Sequence, residues 1–240
     1  MITDQQGIAG LGKILGIWAH PDDETFTMGG ILEAAVRNGQ QVVCVTATRG
    51  EAGVQDVSRW PAEELGIIRT EELQAALDIL GVRRHHWLDY PDGGCKKVPI
   101  ELAVSKVAEY IIRYQPDSIF TFGPDGLTGH DDHRMVSEWV TQAVSQAGSR
   151  AAVYHAAQTK AQYQDMRRAD KKFNIFFNIT EPRICTPGEC AVLFELPDDL
   201  YEQKLAAMRA MPSQNEALLK AFNDTLRSSL GTEAFSRAQV

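Results

Sequence analysis

Short apolar runs alternate with longer segments of helical periodicity along the chain, and this alternation constrains the fold more than any other feature. The runs predict strands over residues 13–19, 41–46, 85–89, 118–122 and 152–156. The intervening segments predict helices over residues 25–38, 62–80 and 100–114, and another after residue 134. Strands that alternate with helices predict a mostly parallel sheet covered on both faces. We therefore expect an α/β, Rossmann-like three-layer fold.

The last third of the chain has a less regular pattern. Residues 173–179 and 191–196 predict strands, and residues 200–211 predict a helix, whereas the polar segment 158–169 fits neither pattern. We expect this third to add an antiparallel edge to the sheet. The 240 residues are 44% hydrophobic and contain no linker-like stretch, which predicts a single domain over residues 1–240.

Charge and composition narrow the function classes. A formal net charge of −8 argues against general affinity for nucleic acid or anionic membranes, which need clustered Lys and Arg. No apolar stretch is long enough to cross a bilayer, and no leader-like segment is visible, so we expect a cytoplasmic protein with a small-molecule substrate. The four cysteines contain no CxxC pair, which argues against a structural zinc site.

The first polar segment follows the first predicted strand. His20, Asp22 and Asp23 lie where that strand turns into a helix. Carboxylates at a helix start can cap free backbone N–H groups, which accounts for one of the two aspartates. Two adjacent carboxylates with Glu24 behind them repel one another unless a cation is present, so this segment favours a metal site.

A second polar segment follows the fourth predicted strand. His130 and His133 are spaced so that both rings project from one face of a helix that begins there. Turns that follow parallel strands gather at one edge of a sheet, so the two segments are expected to meet. A catalytic zinc ion takes three protein ligands and keeps a position for water, and His20, Asp23 and His133 would supply those ligands.

Several segments, taken in order, resemble the LmbE-like (PIG-L) zinc deacetylases. They are AHPDDE at 19–24, TRGEAG at 48–53, Arg69 with Glu72, DYPDG at 89–93 and GHDDHR at 129–134. The resemblance is specific because the first and last of these motifs occur together. It implies one zinc ion per chain, a small N-acetylated sugar as substrate, and assembly into trimers or hexamers.

The resemblance also implies roles for individual residues. His20, Asp23 and His133 correspond to the zinc ligands, and Asp22 corresponds to the general base. His130 would assist at the oxyanion or the leaving group, with Asp132 orienting it. Among the substrate contacts we place Arg49 and Glu51, in the loop after the second strand, and Asp92, in a Pro-Asp-Gly turn near the sugar.

One position departs from the family pattern. Asp131 stands where the family usually has proline, between His130 and Asp132. A carboxylate at this place is expected to raise the pKa of His130. The remaining histidines, His85, His86 and His155, lie in or beside predicted strands without a carboxylate partner in the sequence, and we interpret them as structural.

The predicted function is hydrolysis of an N-acetyl amide on an N-acetylglucosamine-type sugar. Whether Asp22 or His130 protonates the leaving amine is left open by the sequence. A non-haem iron oxygenase is a rival, because two histidines and one carboxylate also form its site. A nucleotide-binding regulatory domain is a second rival, although the acidic turn at 20–24 lacks the glycines that hold a pyrophosphate.

Overall fold

The computed structural model describes residues 1–176 and 178–239. Its strands form one seven-stranded sheet. They are β1 Ile14–Trp18, β2 Val42–Thr46, β3 His85–Trp87, β4 Ser118–Phe122, β5 Ala152–Ala157, β6 Val192–Glu195 and β7 Thr232–Arg237. The helices that accompany them are α1 Gln5–Ala9, α2 Asp23–Arg37, α3 Leu65–Ile79, α4 Ile100–Tyr114, α5 Gly126–Gly129, α6 Asp131–Gln146, α7 Lys160–Phe173, α8 Asp198–Arg209, α9 Pro212–Phe222 and α10 Leu226–Leu230.

The strand order explains where a site can form. It is β3-β2-β1-β4-β5-β7-β6, with β1 to β5 parallel and β7 antiparallel to both of its neighbours. The chain runs outward from β1 to β3 and then returns to β4 on the other side of β1. A crevice therefore opens between the carboxyl ends of β1 and β4, which is the usual binding position in open α/β sheets.

Helices cover both faces of the sheet. α4 packs against α6 on one face, while α2 and α3 both contact α8 on the other. Trp18 and Phe122, at the ends of the two central strands, meet edge to face with ring centroids 5.0 Å apart. Both rings are fully buried. Across residues 1–176 and 178–239, none of the helices combines the length and hydropathy that crossing a lipid bilayer requires.

Helix α2 is kinked at Met28, where φ is −142° and ψ is 22°. The kink frees the backbone N–H groups of Gly30 and Ile31 from the regular helical pattern. Both donate at 2.8 Å to the carboxylate of Glu233 on β7. The Lys204 ammonium lies 2.8 Å from the same carboxylate, and this ion pair is buried. The last strand therefore caps the second half of α2.

Most predicted elements are confirmed, including the parallel strands and the antiparallel edge. The strand predicted over residues 173–179 is wrong, because residues 174–176, 178 and 179 are not in a strand, and Phe177 lies outside the described residues. The polar segment that precedes it is helix α7, which begins at a capping box formed by Thr159 and Gln162. α7 ends at Asn174 in the left-handed conformation. Ile175, Phe176 and Ile179 pack against the core from the loop that follows it.

Candidate metal centre

The turn after β1 presents two carboxylates in different directions. Asp22 has φ 127° and ψ −30°, a conformation that residues other than glycine rarely adopt. Asp23 accepts the His20 backbone N–H at 2.7 Å, and Glu24 accepts the Asp22 N–H at 3.0 Å. The side chain of Asp22 caps no helix N–H. It lines the cavity above the turn instead.

His133 reaches the same place from the first turn of α6. Its Nδ1 donates to the Gly126 carbonyl at 2.9 Å, which leaves Nε2 with a free lone pair. The ring stacks on Phe122 with centroids 3.9 Å apart and an interplanar angle of 10°. A backbone hydrogen bond and an aromatic neighbour thus fix the ring with Nε2 toward the turn after β1.

Three ligand-type side chains converge between β1 and β4. His20 Nδ1 lies 3.1 Å from His133 Nε2, and the Asp23 carboxylate lies 3.6 Å from the first and 3.5 Å from the second. Two nitrogens bound to one tetrahedral zinc ion are about 3.3 Å apart. The donor types and the spacings therefore fit a zinc-type cation. His130 also offers a ring nitrogen within 4.8 Å of those of His20 and His133.

The electrostatics of the turn also fit a cation. Burial raises the pKa values of Asp22 and Asp23, and it raises the pKa of Glu24 to about 7. Burial likewise holds the pKa of His133 well below its usual value. A positive charge at the centre would offset the cost of burying these carboxylates and would favour the neutral, ligating form of the imidazole.

Two further carboxylates surround the other nitrogen of His20. Its Nε2 lies 3.0 Å from Asp92 and 3.4 Å from Asp132. Burial lowers the pKa of an imidazole, but these hydrogen bonds and the charge of Asp23 outweigh it and raise the pKa of His20 to about 10. Asp132 is 1% exposed and also accepts the backbone N–H groups of Gly93 and Cys95. The two carboxylates orient the His20 ring.

The residues predicted to contact substrate have mixed positions. Asp92 lines the cavity, and its backbone N–H donates to Glu51 while its carboxylate accepts the Ala52 N–H, each at 2.9 Å. Arg49 is bound to Asp89 at 2.7 Å and lies over the Trp87 ring at 4.0 Å. Among the described residues, Arg49 and Glu51 are not part of the cavity lining. Arg49 and Glu51 instead form hydrogen bonds with the loop that follows β3, at Asp89 and Asp92.

The guanidinium that does line the cavity belongs to Arg69. It is 4% exposed, donates to the Pro21 carbonyl at 2.6 Å and lies 3.3 Å from the Asp22 carboxylate. Gly50 has φ +67°, and a Cβ there would lie 2.2 Å from the guanidinium. Glycine at position 50 is therefore required for Arg69 to lie against this loop and reach Asp22.

His130 is the N-cap of α6, and its Nδ1 accepts the Asp132 backbone N–H at 3.1 Å. Asp131 does push the pKa of His130 upward, as expected, but the net shift is downward, so the expectation of a raised pKa is wrong. Burial and the charge of His20 lower the pKa of His130, and Asp132, Asp92 and Asp131 oppose that shift without reversing it. Asp131 forms an ion pair with Lys96 at 2.8 Å on the partly exposed side of the helix.

A cavity of about 280 Å³ opens above the cluster. His20, Asp22, Asp23, His130 and His133 all line it. The structure thus brings together residues from both polar segments that the sequence singled out. It adds a second half, contributed by α7 and α9, that carries no recognisable motif.

The helical spacing of α3 marks Arg69 in addition to its place among the family motifs. Leu65, Arg69 and Leu73 are spaced four residues apart on α3, and all three are buried. A charged residue on the apolar stripe of a helix must have a polar partner inside the fold, so its position marks it for a site. Gln214 and Asn215 on α9 also line the cavity, although neither of them is among the site residues predicted from the sequence.

The fold and the cluster define the class of protein: a Rossmann-like α/β protein with a metal-type centre where the strand order reverses. A sequence profile of the PIG-L family, described as GlcNAc-PI de-N-acetylase, matches residues 15–144. The chain belongs to the PIG-L family. The match covers both polar segments and ends within α6.

Curated relatives match over most of the chain. The 1D-myo-inositol 2-acetamido-2-deoxy-alpha-D-glucopyranoside deacetylase of Corynebacterium glutamicum (strain R) is 30% identical over 222 residues, which cover 84% of this chain and 74% of the relative. The enzyme of the same name from Rhodococcus jostii (strain RHA1) is 27% identical over 247 residues, covering 92% and 80%.

Solved structures share the fold at lower identity. The N,N'-diacetylchitobiose deacetylase of Pyrococcus horikoshii superposes with a TM-score of 0.69 and 22% identity, covering 98% of this chain and 87% of that one. The 4-carboxy-2-hydroxymuconate hydratase of Pseudomonas putida KT2440 superposes with a TM-score of 0.64 and 15% identity, covering 95% and 97%. The same fold thus serves more than one reaction, and the site must decide between them.

Proposed function

We propose that this protein is a metal-dependent deacetylase that removes the N-acetyl group from an N-acetylglucosamine-type sugar and releases acetate and a free amine. The observation that carries the proposal is the convergence of His20 Nδ1, His133 Nε2 and the Asp23 carboxylate within 3.1–3.6 Å of one another. Family membership and the names of the curated relatives support the reaction.

We assign His20, Asp23 and His133 as the ligands of one zinc ion. When bound, such an ion polarises the amide carbonyl and acidifies an attacking water molecule. Asp92 and Asp132 hold the His20 ring, and the Gly126 carbonyl holds the His133 ring, so both imidazoles keep their ligating nitrogens directed at the centre.

Asp22 is the proposed general base. Its carboxylate lines the cavity beside the ligands but is not committed to a helix cap. Arg69 lies 3.3 Å from it and favours its ionised form, which opposes the effect of burial. An ionised carboxylate in this position can accept the proton of the attacking water.

His130 is proposed to stabilise the oxyanion or the leaving nitrogen. Its ring centroid lies 4.7 Å from that of His20 and 5.0 Å from that of His133, on the cavity side of the cluster. Its Nδ1 accepts a backbone N–H, so Nε2 is the nitrogen that carries a proton toward the cavity. That N–H can donate to charge that develops on the substrate.

The remaining expectations about this protein stay predictions. They are a cytoplasmic location, assembly into trimers or hexamers, a single domain over residues 1–240, and a substrate-contact role for Arg49. The iron oxygenase and the nucleotide-binding domain also stay alternatives to the proposal. Measuring which metal the protein contains distinguishes the deacetylase from the iron oxygenase. Measuring nucleotide binding distinguishes it from the nucleotide-binding domain.

The proposal is tested by measuring metal content and acetate release together. We expect the purified protein to contain one zinc ion per chain and to release acetate from at least one member of a panel of N-acetylated sugars. His133→Ala should lose most of the metal and the activity. His86→Ala should keep both, because His86 lies on β3 and forms its hydrogen bond with Tyr114 of α4. Stoichiometric zinc in His133→Ala would show that the third ligand is misassigned.

A further inference from the structure

The cavity has two chemically different walls. One is polar and consists of Gln55, Arg69, Gln214 and Asn215. The other, called the apolar wall here, consists of Phe26, Met166, Phe173, Ile175 and Leu218. The ligand-type residues and Asp22 line the same cavity.

The apolar wall is built from separate parts of the chain. Phe26 comes from the first turn of α2, Met166 and Phe173 from α7, and Leu218 from α9. Met166 is buried, and the other wall residues are partly buried and pack against the core from behind. All of them also line the cavity.

Apolar surface left in an open cleft beside buried charges needs an explanation. Contiguous exposed apolar surface is costly in water, and ligand sites combine such surface with a few polar groups that fix orientation. The cluster of His20, Asp23 and His133 is suited to the amide of an N-acetyl group. The side-chain amides of Gln214 and Asn215 are suited to sugar hydroxyl groups. The apolar wall matches neither part of an N-acetylated sugar.

The two walls join on α9. Gln214 and Leu218 are four residues apart and project from the same face of the helix into the cavity. A substituent attached to a sugar held at Gln214 therefore reaches the apolar wall directly. This continuity favours a group on the sugar ring over the acyl group, which would remain at the metal cluster.

Resting on the proposed function, we infer that the substrate carries an apolar alkyl or aryl aglycone, which lies along the apolar wall while the amide lies at the cluster. Most of the wall belongs to this chain outside the family match, because Met166, Phe173, Ile175 and Leu218 lie beyond residue 144. The wall therefore determines substrate choice independently of the shared chemistry.

The test measures kcat/KM for the methyl, butyl, hexyl and octyl glycosides of N-acetylglucosamine, each below its micelle concentration. Burial of one methylene predicts a rise of about threefold per carbon from methyl to hexyl. Phe173→Ser combined with Leu218→Ser should flatten this rise. The control Ile112→Ser, at a 61% exposed residue of α4 outside the cavity lining, should preserve it.

Two further measurements distinguish a failure of the aglycone inference from a failure of the proposed deacetylase function. Values of kcat/KM within twofold across the glycosides would overturn the inference while leaving the proposed function intact. Octyl glucoside, which has no amide, should bind about tenfold more weakly to the double variant than to the unaltered protein, even if no substrate is hydrolysed. A rise confined to methyl glycosides with longer N-acyl chains would place the apolar group on the acyl side and reject the aglycone.

Discussion

Asp22 and Asp23 are neighbours in the turn after β1, but their carboxylates make different contacts. The carboxylate of Asp23 holds the His20 N–H and lies against both imidazoles, whereas that of Asp22 lies in the cavity beside Arg69. The unusual backbone at Asp22, with φ 127°, accompanies this divergence of the two carboxylates. Strain of this kind persists where surrounding contacts hold it, and it is concentrated at functional sites.

Asp22→Asn is therefore expected to keep zinc and fold while turnover falls by about a hundredfold or more, as removal of a general base predicts. Zinc content, the thermal midpoint and kcat measured on one preparation check this. Asp78→Asn is the matched control, because its exposed carboxylate on α3 accepts a hydrogen bond from Gln74 and does not line the cavity. Turnover of Asp22→Asn within threefold of the unaltered protein would remove Asp22 from the mechanism.

Single residues also determine how the protein responds to acid. The Thr46 hydroxyl donates to Glu24 at 2.9 Å, so His85 Nε2 is the donor in its 2.8 Å hydrogen bond to Thr46. Burial, with repulsion from His86 and Arg49, lowers the pKa of His85 to about 3. Below pH 6.5, His85 becomes protonated in the unfolded chain, whereas in the folded protein it stays neutral down to about pH 3. His85 therefore favours unfolding as the pH falls.

We predict that His85→Gln weakens this acid sensitivity. Between pH 7 and pH 5, the free energy of unfolding of the variant should fall by about 1–2 kcal/mol less than that of the unaltered protein. Urea titrations at the two pH values measure the difference. Equal losses in both proteins would show that His85 titrates normally in the fold.

At the residue scale, sequence patterns predicted the cluster because its members occur in two motifs that follow strands. His20, Asp23 and His133 required only that the carboxyl ends of β1 and β4 be neighbours. The contact between Asp92 and His20 was not predictable in this way, because it depends on how the loop after β3 bends. The position of Arg49 was not predictable for a related reason, because it depends on the contacts that its side chain makes with Asp89 and Trp87.

At the scale of elements, α2 depends on a distant strand. Its kink at Met28 leaves N–H groups that Glu233 satisfies, and Lys204 balances the charge of that carboxylate. A buried ion pair contributes little net stability, but removing one partner leaves the other charge uncompensated. The pair therefore fixes one arrangement of α2 against β7 and α8.

Glu233→Gln is predicted to lower the free energy of unfolding by about 3–5 kcal/mol, because Lys204 keeps its charge in a buried place. Denaturant titration measures the loss. Glu195→Gln, on the exposed side of the neighbouring strand β6, should change stability by less than about 0.5 kcal/mol. Adding Lys204→Met to Glu233→Gln should recover part of the loss; a double variant less stable than Glu233→Gln would contradict the ion-pair explanation.

Helices and strands with clear periodicity were predictable, and those defined by local capping were not. α4 shows the favourable case, because Ile100–Tyr114 has buried residues at helical spacing and ends before Pro116. α7 shows the unfavourable case: its composition is polar, and only the capping box at Thr159 and Gln162 marks its start. The apolar residues after Asn174 resemble a strand in sequence, but β7 occupies the position beside β5.

At the scale of the whole molecule, chemistry and substrate choice come from different parts of the chain. Residues 15–144 contain the family match and the ligand cluster, whereas most of the apolar wall and the Glu233 cap come from the last third. The antiparallel edge was predictable from the strand-like run at 191–196. The insertion of β7 between β5 and β6 was not, because nothing local specifies which strands will be neighbours.

That insertion affects the order in which the protein can become complete during synthesis. β6 pairs with β7 and, through Val192, with Ile2 near the beginning of the chain. Among the strands of residues 1–176 and 178–239, β7 is the one that connects β6 to the sheet. The N–H groups of Gly30 and Ile31 also donate to Glu233, which lies some two hundred residues later in the chain. A ribosome therefore translates both polar segments long before it translates Glu233, and the second half of α2 can gain this cap only after the last strand has been made.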